Sequence, residues 1–74
     1  MTTLHHFYFN SIQRAQQTGE RYGQALFNTL TQMQPEVAER VRGSSFDPFY
    51  MKGPKDNFEK WDKFCTFVEQ NWKY

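Results

Sequence analysis

The side chains best suited to chemistry in this 74-residue chain are two adjacent histidines, His5 and His6, and a single cysteine, Cys65. Neighbouring positions on a helix point about 100° apart, so the two imidazoles cannot share a metal as an i, i+4 pair would. They read as solvated histidines near a helix end. Cys65 falls within an apolar stripe, with no cation on its own face and no helix N-terminus beside it to lower its pKa, and it reads as a small hydrophobe rather than a nucleophile. The spacing supports no Ser/His/Asp or Cys/His arrangement and implies no cofactor. The expectation is a protein that is not an enzyme.

The cations offer a second kind of chemistry. Arg40 and Arg42 end a short segment that superficially completes a helix-turn-helix, but Glu36 and Glu39 occupy the part of that segment where phosphate and base contacts would form. Lys52, Lys55, Lys60, Lys63 and Lys73 are interleaved with Asp56, Glu59, Asp62 and Glu69, which describes a solvated mixed-charge face better than a phosphate track. Nine Lys and Arg against eight Asp and Glu leave a formal charge of +1, too small to steer nucleic acid or anionic lipid. A partner must be recognised by shape.

Shape here means aromatic rings: eight Phe, four Tyr and two Trp supply half of the hydrophobic residues. A chain of this length buries only about 60% of its unfolded surface, and each ring covers roughly 150–250 Å², so a few rings can replace many aliphatics in the core. One cysteine forms no internal disulfide, the residues Met1 to His6 lack the basic and apolar runs of a signal or transit peptide, and no stretch of 18 apolar residues occurs. Together these place the expected location in the cytoplasm, with no membrane partner.

The elements that position these rings read as an all-α bundle of three to four short helices in one domain spanning 1–74. The first helix covers about 3–18, with Leu4, Tyr8, Ser11, Ile12 and Ala15 at helical spacing and Gly19 as its left-handed stop. The second covers about 20–34 through Tyr22, Ala25, Leu26, Thr29, Leu30 and Met33; Gly23 near its start either costs about 1 kcal/mol of propensity or permits a close approach. A third, 35–42, opens on Pro35, has Glu36 and Glu39 early and Arg40 and Arg42 late, and closes on Gly43. The Asp-Pro and Gly-Pro pairs in 44–54 mark a connection that could hold one helical turn from Asp47. The last helix, about 57–72, carries a capping box at Asp56 to Glu59 and a stripe of Phe58, Trp61, Cys65, Val68 and Trp72, with Trp61 expected to be central.

Some rings do not fit these stripes. Phe9 falls about 140° from Leu4, Phe27 about 140° from Tyr22, and Phe67 about 180° from Phe58. Either one central helix buries two faces, or these rings form a second apolar surface for a partner or another copy of the chain. Phe46, Phe49, Tyr50 and Met51 in the connection pose the same choice, plugging the core or, beside Arg40 and Arg42, forming a contact surface of hot-spot composition. The candidate partner-binding set is Phe9, Phe27, Phe46, Phe49, Tyr50, Phe67, Arg40 and Arg42, with no catalytic and no metal-ligating residue.

The runs Arg21-Tyr22-Gly23-Gln24-Ala25-Leu26-Phe27-Asn28-Thr29-Leu30, Pro35 to Gly43 and Asp47-Pro48-Phe49-Tyr50 resemble a pattern in small uncharacterised proteins of tailed bacteriophages of aquatic bacteria, including cyanobacteria. The resemblance covers about 30 residues and transfers no site residue. It implies a context in which a small protein binds and redirects a host protein in the host cytoplasm. The leading expectation is therefore a helical protein-interaction module, either binding a protein partner or pairing with itself as a homodimer. A small nucleic-acid-binding protein and a minor structural component of a virion are the alternatives.

Overall fold

The structure, a computed structural model, describes residues 3–74 and is an all-α bundle. Met1 and Thr2, which the readings of the N-terminus and of a 1–74 domain include, lie outside the described residues. The helices are α1 (Thr3–Thr18), α2 (Tyr22–Met33), α3 (Pro35–Val41) and α4 (Phe58–Asn71), with a 3₁₀ turn at Pro54–Asp56. Two of them stop where expected because glycine adopts the left-handed conformation there: Gly19 has φ 74° and Gly43 has φ 71°. None of the helices of the described residues is long and apolar enough to cross a membrane.

The helix ends fall within two residues of the sequence reading, and three local features differ from it for a local reason. Helix α2 starts at Tyr22 rather than 20 because Glu20 serves as a clamp between helices. Its carboxylate accepts hydrogen bonds from Arg14 Nε (2.8 Å) and Thr18 Oγ1 (2.8 Å) at the end of α1 and from Asn28 Nδ2 (2.7 Å) in α2. Helix α4 is capped by Asn57, whose side chain accepts from the Lys60 amide at 3.0 Å; position N3 holds lysine, so the reciprocal half of a capping box is missing. No helical turn begins at Asp47; the turn sits at Pro54–Asp56, where Asp56 Oδ2 accepts the Lys52 amide at 2.7 Å.

The core corrects the phase of two stripes. In α1 the fully buried residues are Phe7 and Ser11, while Ile12 is 45% exposed and Leu4 and Tyr8 are only partly covered. In α4 the buried residues are Phe64 and Val68, continued by Trp72, and Phe58 is 69% exposed. Trp61 is half-buried against Tyr22, with ring centroids 5.4 Å apart. Measured from Phe64, Phe67 lies about 60° away on the flank of the stripe, not opposite it. Helix α2 is the central element: Gly23, Leu26, Phe27 and Leu30 bury one side, and Ala25 and Thr29 bury another. The end of the chain is drawn back onto its start, for the Trp72 indole donates to Thr3 Oγ1 at 2.8 Å and its ring packs on Phe7 at 5.4 Å.

Two expectations follow. In chemical denaturation, Phe64→Ala costs about 3–5 kcal/mol, more than Trp61→Ala, whereas Phe58→Ala stays within about 0.5 kcal/mol of the wild type. The Thr18, Asn28 and Arg14 hydrogen bonds hold the Glu20 carboxyl below its ordinary value of about 4.5, Thr18 most strongly and against the opposing effect of burial. A lowered pKa in the folded state means stability that is present above about pH 4.5 and lost as pH falls through the folded value. Glu20→Gln therefore lowers the melting temperature at neutral pH and flattens its fall on acidification, as followed by circular dichroism.

Candidate functional site

The rings of the 44–54 connection are positioned by polar groups that the loop supplies to itself. Asp47 accepts the Gly43 amide at 3.1 Å through Oδ2 and the Phe49 amide at 3.0 Å through Oδ1, so a single carboxylate folds both sides of the turn. The Met51 amide then donates to Pro48 O at 2.9 Å, closing residues 48–51. Pro48 and Met51 are buried, so the turn is pinned by its ends and presents its middle, Phe49 and Tyr50, outward.

The pin is a backbone contact with α2. The Gly23 amide, in the first turn of α2 and without a helical acceptor, donates to Met51 O at 2.9 Å. A Cβ at Gly23 would lie 1.9 Å from Pro48 O and 2.5 Å from Met51 O, so only glycine admits this approach. Of the two readings its position allowed, close approach is the one the structure adopts.

Seated in this way, the loop forms a chain of rings and cations. Arg42 lies 5.6 Å from the Phe27 ring, Phe27 meets Phe49 edge-on at 5.9 Å, and Phe49 meets Tyr50 at 5.1 Å. The Arg21 guanidinium sits over both outer rings, 5.9 Å from Phe49 and 5.5 Å from Tyr50. Its Nε is buried without a hydrogen-bond acceptor, and no carboxylate among the described residues lies within ion-pairing distance of it. Tyr50 is 81% exposed and forms the outer end of the chain.

A second cluster joins the loop to α4. Phe46 packs on Phe67 at 5.1 Å, and Arg40 caps Phe67 at 4.9 Å while donating to Asn71 Oδ1 at 3.0 Å. The two rings floor an open groove of about 470 Å³ rimmed by Ser45, Asp62, Lys63, Thr66 and Gln70.

The candidate set therefore divides. Phe27 is corrected: at 7% exposure it belongs to the core, because central α2 buries the face on which it stands. Phe46, Phe49 and Phe67 are half-buried and do both jobs, packing on the core while showing an edge. Tyr50 and Phe9 are exposed, but Phe9, on the outer face of α1, joins neither cluster. Arg40 and Arg42 are exposed at their tips yet spent on neighbours, Arg42 also facing Glu39 at 3.6 Å. Sequence reasoning missed Arg21, whose place over the loop rings depends on a contact between residues nearly 30 positions apart. Gly23 was the available signal for that contact.

Cys65 is half-buried, and burial pushes its thiol up, opposed by the Tyr8 hydroxyl and reinforced by Glu69 and Asp62. The Tyr8 hydroxyl is itself raised, first by burial and then by Cys65. A thiol held protonated in this way is a poor nucleophile. Among the described residues, no group of three His, Cys, Asp or Glu is arranged to hold a metal ion. No protein-family model matches the chain, and no curated protein or solved structure shows significant similarity to it.

Gly23→Ala tests the seating of the loop. In an open helix that exchange gains up to about 1 kcal/mol. Here the new methyl meets backbone oxygens, and we expect a loss of about 1–3 kcal/mol or more, read from denaturant midpoints, with altered tyrosine fluorescence from the loop.

Proposed function

We propose that this protein is a non-catalytic helical interaction module that binds a protein partner through the edge formed by Arg21, Phe49 and Tyr50. The observation that carries this reading is an arginine bedded on two aromatic rings and left without an acid. A guanidinium held in this way has lost little further freedom to lose on binding, and its outer N–H groups match a carboxylate in the fork geometry that arginine favours. Tyr and Arg are also the residue types in which binding energy concentrates. The partner surface that fits presents an acidic side chain beside an apolar patch.

Other cations support a protein partner over nucleic acid, since Arg14, Arg42, Lys63 and Lys73 already face carboxylates within the chain. The resemblance to small phage proteins favours a host protein as that partner and the host cytoplasm as the setting.

The reading is tested by comparing the wild type with Arg21→Gln and Tyr50→Ala as immobilised baits, identifying what the wild type retains and titrating it by calorimetry. Either substitution is expected to weaken binding by about 2 kcal/mol, roughly 30-fold, while changing folding stability by no more than about 1 kcal/mol. Equal retention of the same protein by wild type and both variants overturns the assignment of this edge.

A further inference from the structure

The seam between α1 and α2 holds a polar groove of about 320 Å³, apart from the loop edge and from the groove beside α4. Positions 10, 13, 14 and 17 of α1 line one side of it, and positions 29, 32 and 33 of α2 line the other. These spacings of i, i+3, i+4 and i+7 put each set on one face of its helix. The volume lies at the small end of the range, about 300–1,000 Å³, in which proteins hold small molecules.

A buried hydroxyl distinguishes this groove from an ordinary seam between helices. Thr29 is only 3% exposed and stands in the groove lining. Ser11, also buried, donates to Phe7 O at 2.7 Å, and Thr18 and Thr31 likewise donate to the carbonyl four residues back. The Thr29 hydroxyl has no hydrogen-bond partner among the described residues. An enclosed hydroxyl without a partner costs stability, and a ligand that bonds it removes that cost.

The rest of the lining defines the ligand's chemistry. Asn10, Gln13, Gln17 and Gln32 are exposed, and each offers both N–H donors and a carbonyl acceptor. The one charged side chain, Arg14, faces Glu20 at 2.8 Å, so the groove has no free cation for a carboxylate or phosphate. Among the described residues no aromatic ring lines it for a base to stack on, and Met33 is its single apolar side chain. A neutral ligand rich in hydroxyls fits this lining. Each hydroxyl both donates and accepts, and so pairs with either end of an amide and with Thr29.

We infer that the α1–α2 groove binds a small neutral carbohydrate, one hydroxyl seated on Thr29 and others held between the amides of the two helices. The groove shares no residue with the Arg21, Phe49 and Tyr50 edge, so either assignment can fail without the other.

Nuclear magnetic resonance of the isotope-labelled full chain, titrated with glucose, maltose, trehalose and lactose to about 50 mM, reads binding at the side-chain amides directly. At least one of these sugars is expected to shift the Asn10, Gln13, Gln17 and Gln32 resonances saturably, with a dissociation constant on the order of 1 mM. Thr29→Val keeps the shape of the side chain and removes a hydroxyl that the fold does not use; Gln13→Ala removes an exposed amide. Each is expected to weaken binding of that sugar roughly 3–10-fold with unchanged circular dichroism. N-acetylglycine methylamide, which carries the donors and acceptors of a peptide without hydroxyls, is expected to leave these resonances in place. No saturable shift with any of these sugars, undiminished binding by Thr29→Val or Gln13→Ala, or equal shifts with the peptide amide each overturns the proposal.

Discussion

The approach of residues 48–51 to Gly23 is the contact on which the remaining surface depends. One amide, in the first turn of α2 where no helical acceptor is available, finds the Met51 carbonyl instead. That bond helps to cap the central helix, fixes the loop against it, and sets Phe49 and Tyr50 beneath the Arg21 guanidinium. The absence of a side chain at position 23 makes this possible, since the two carbonyl oxygens occupy the space a methyl would need.

Small size explains why polar tie points matter so much in this bundle. Beside the burial of Phe64 and Val68, directional bonds tie down the end of α4 and the residues that follow it. The Gln34 amide pairs with the Lys73 backbone in both directions, Nε2 to the carbonyl at 2.9 Å and the backbone amide to Oε1 at 3.1 Å, and Lys73 also pairs with Glu36. Gln34 lies between α2 and α3, where a break in the helical pattern frees its side chain to do this. Arg40 to Asn71 and Trp72 to Thr3 add ties to α3 and α1.

Aromatic residues serve here as both filling and surface. Phe7 and Phe64 are wholly enclosed, while Phe46, Phe49 and Phe67 bury one edge and meet arginine or another ring with the rest. A flat ring suits this double use because its two faces and its rim can contact different neighbours at once. Cations resting on rings keep their charge and their N–H groups available, and Arg21, which lies over two rings, is paired with no acid among the described residues.

Helix number, order and most boundaries were legible in the sequence, because glycine conformation, proline geometry and cap chemistry are local properties. Gly19, Pro35 and Gly43 act through atoms within a few residues of themselves. The phase of the stripes was not legible. In α1 both Phe7 and Tyr8, and in α4 both Phe58 and Phe64, satisfy helical spacing, and when nearly every turn carries a ring, periodicity cannot say which ring faces inward. Packing of the helices into one shared core made that choice, enclosing Phe7 and Phe64 and leaving Phe58 in water. That His5 and His6 point apart on one helix could be read from spacing alone. The place of Arg21 over Phe49 and Tyr50 could not, since it exists only after the loop has folded back across Gly23, a relation between distant parts of the chain that tertiary structure alone decides.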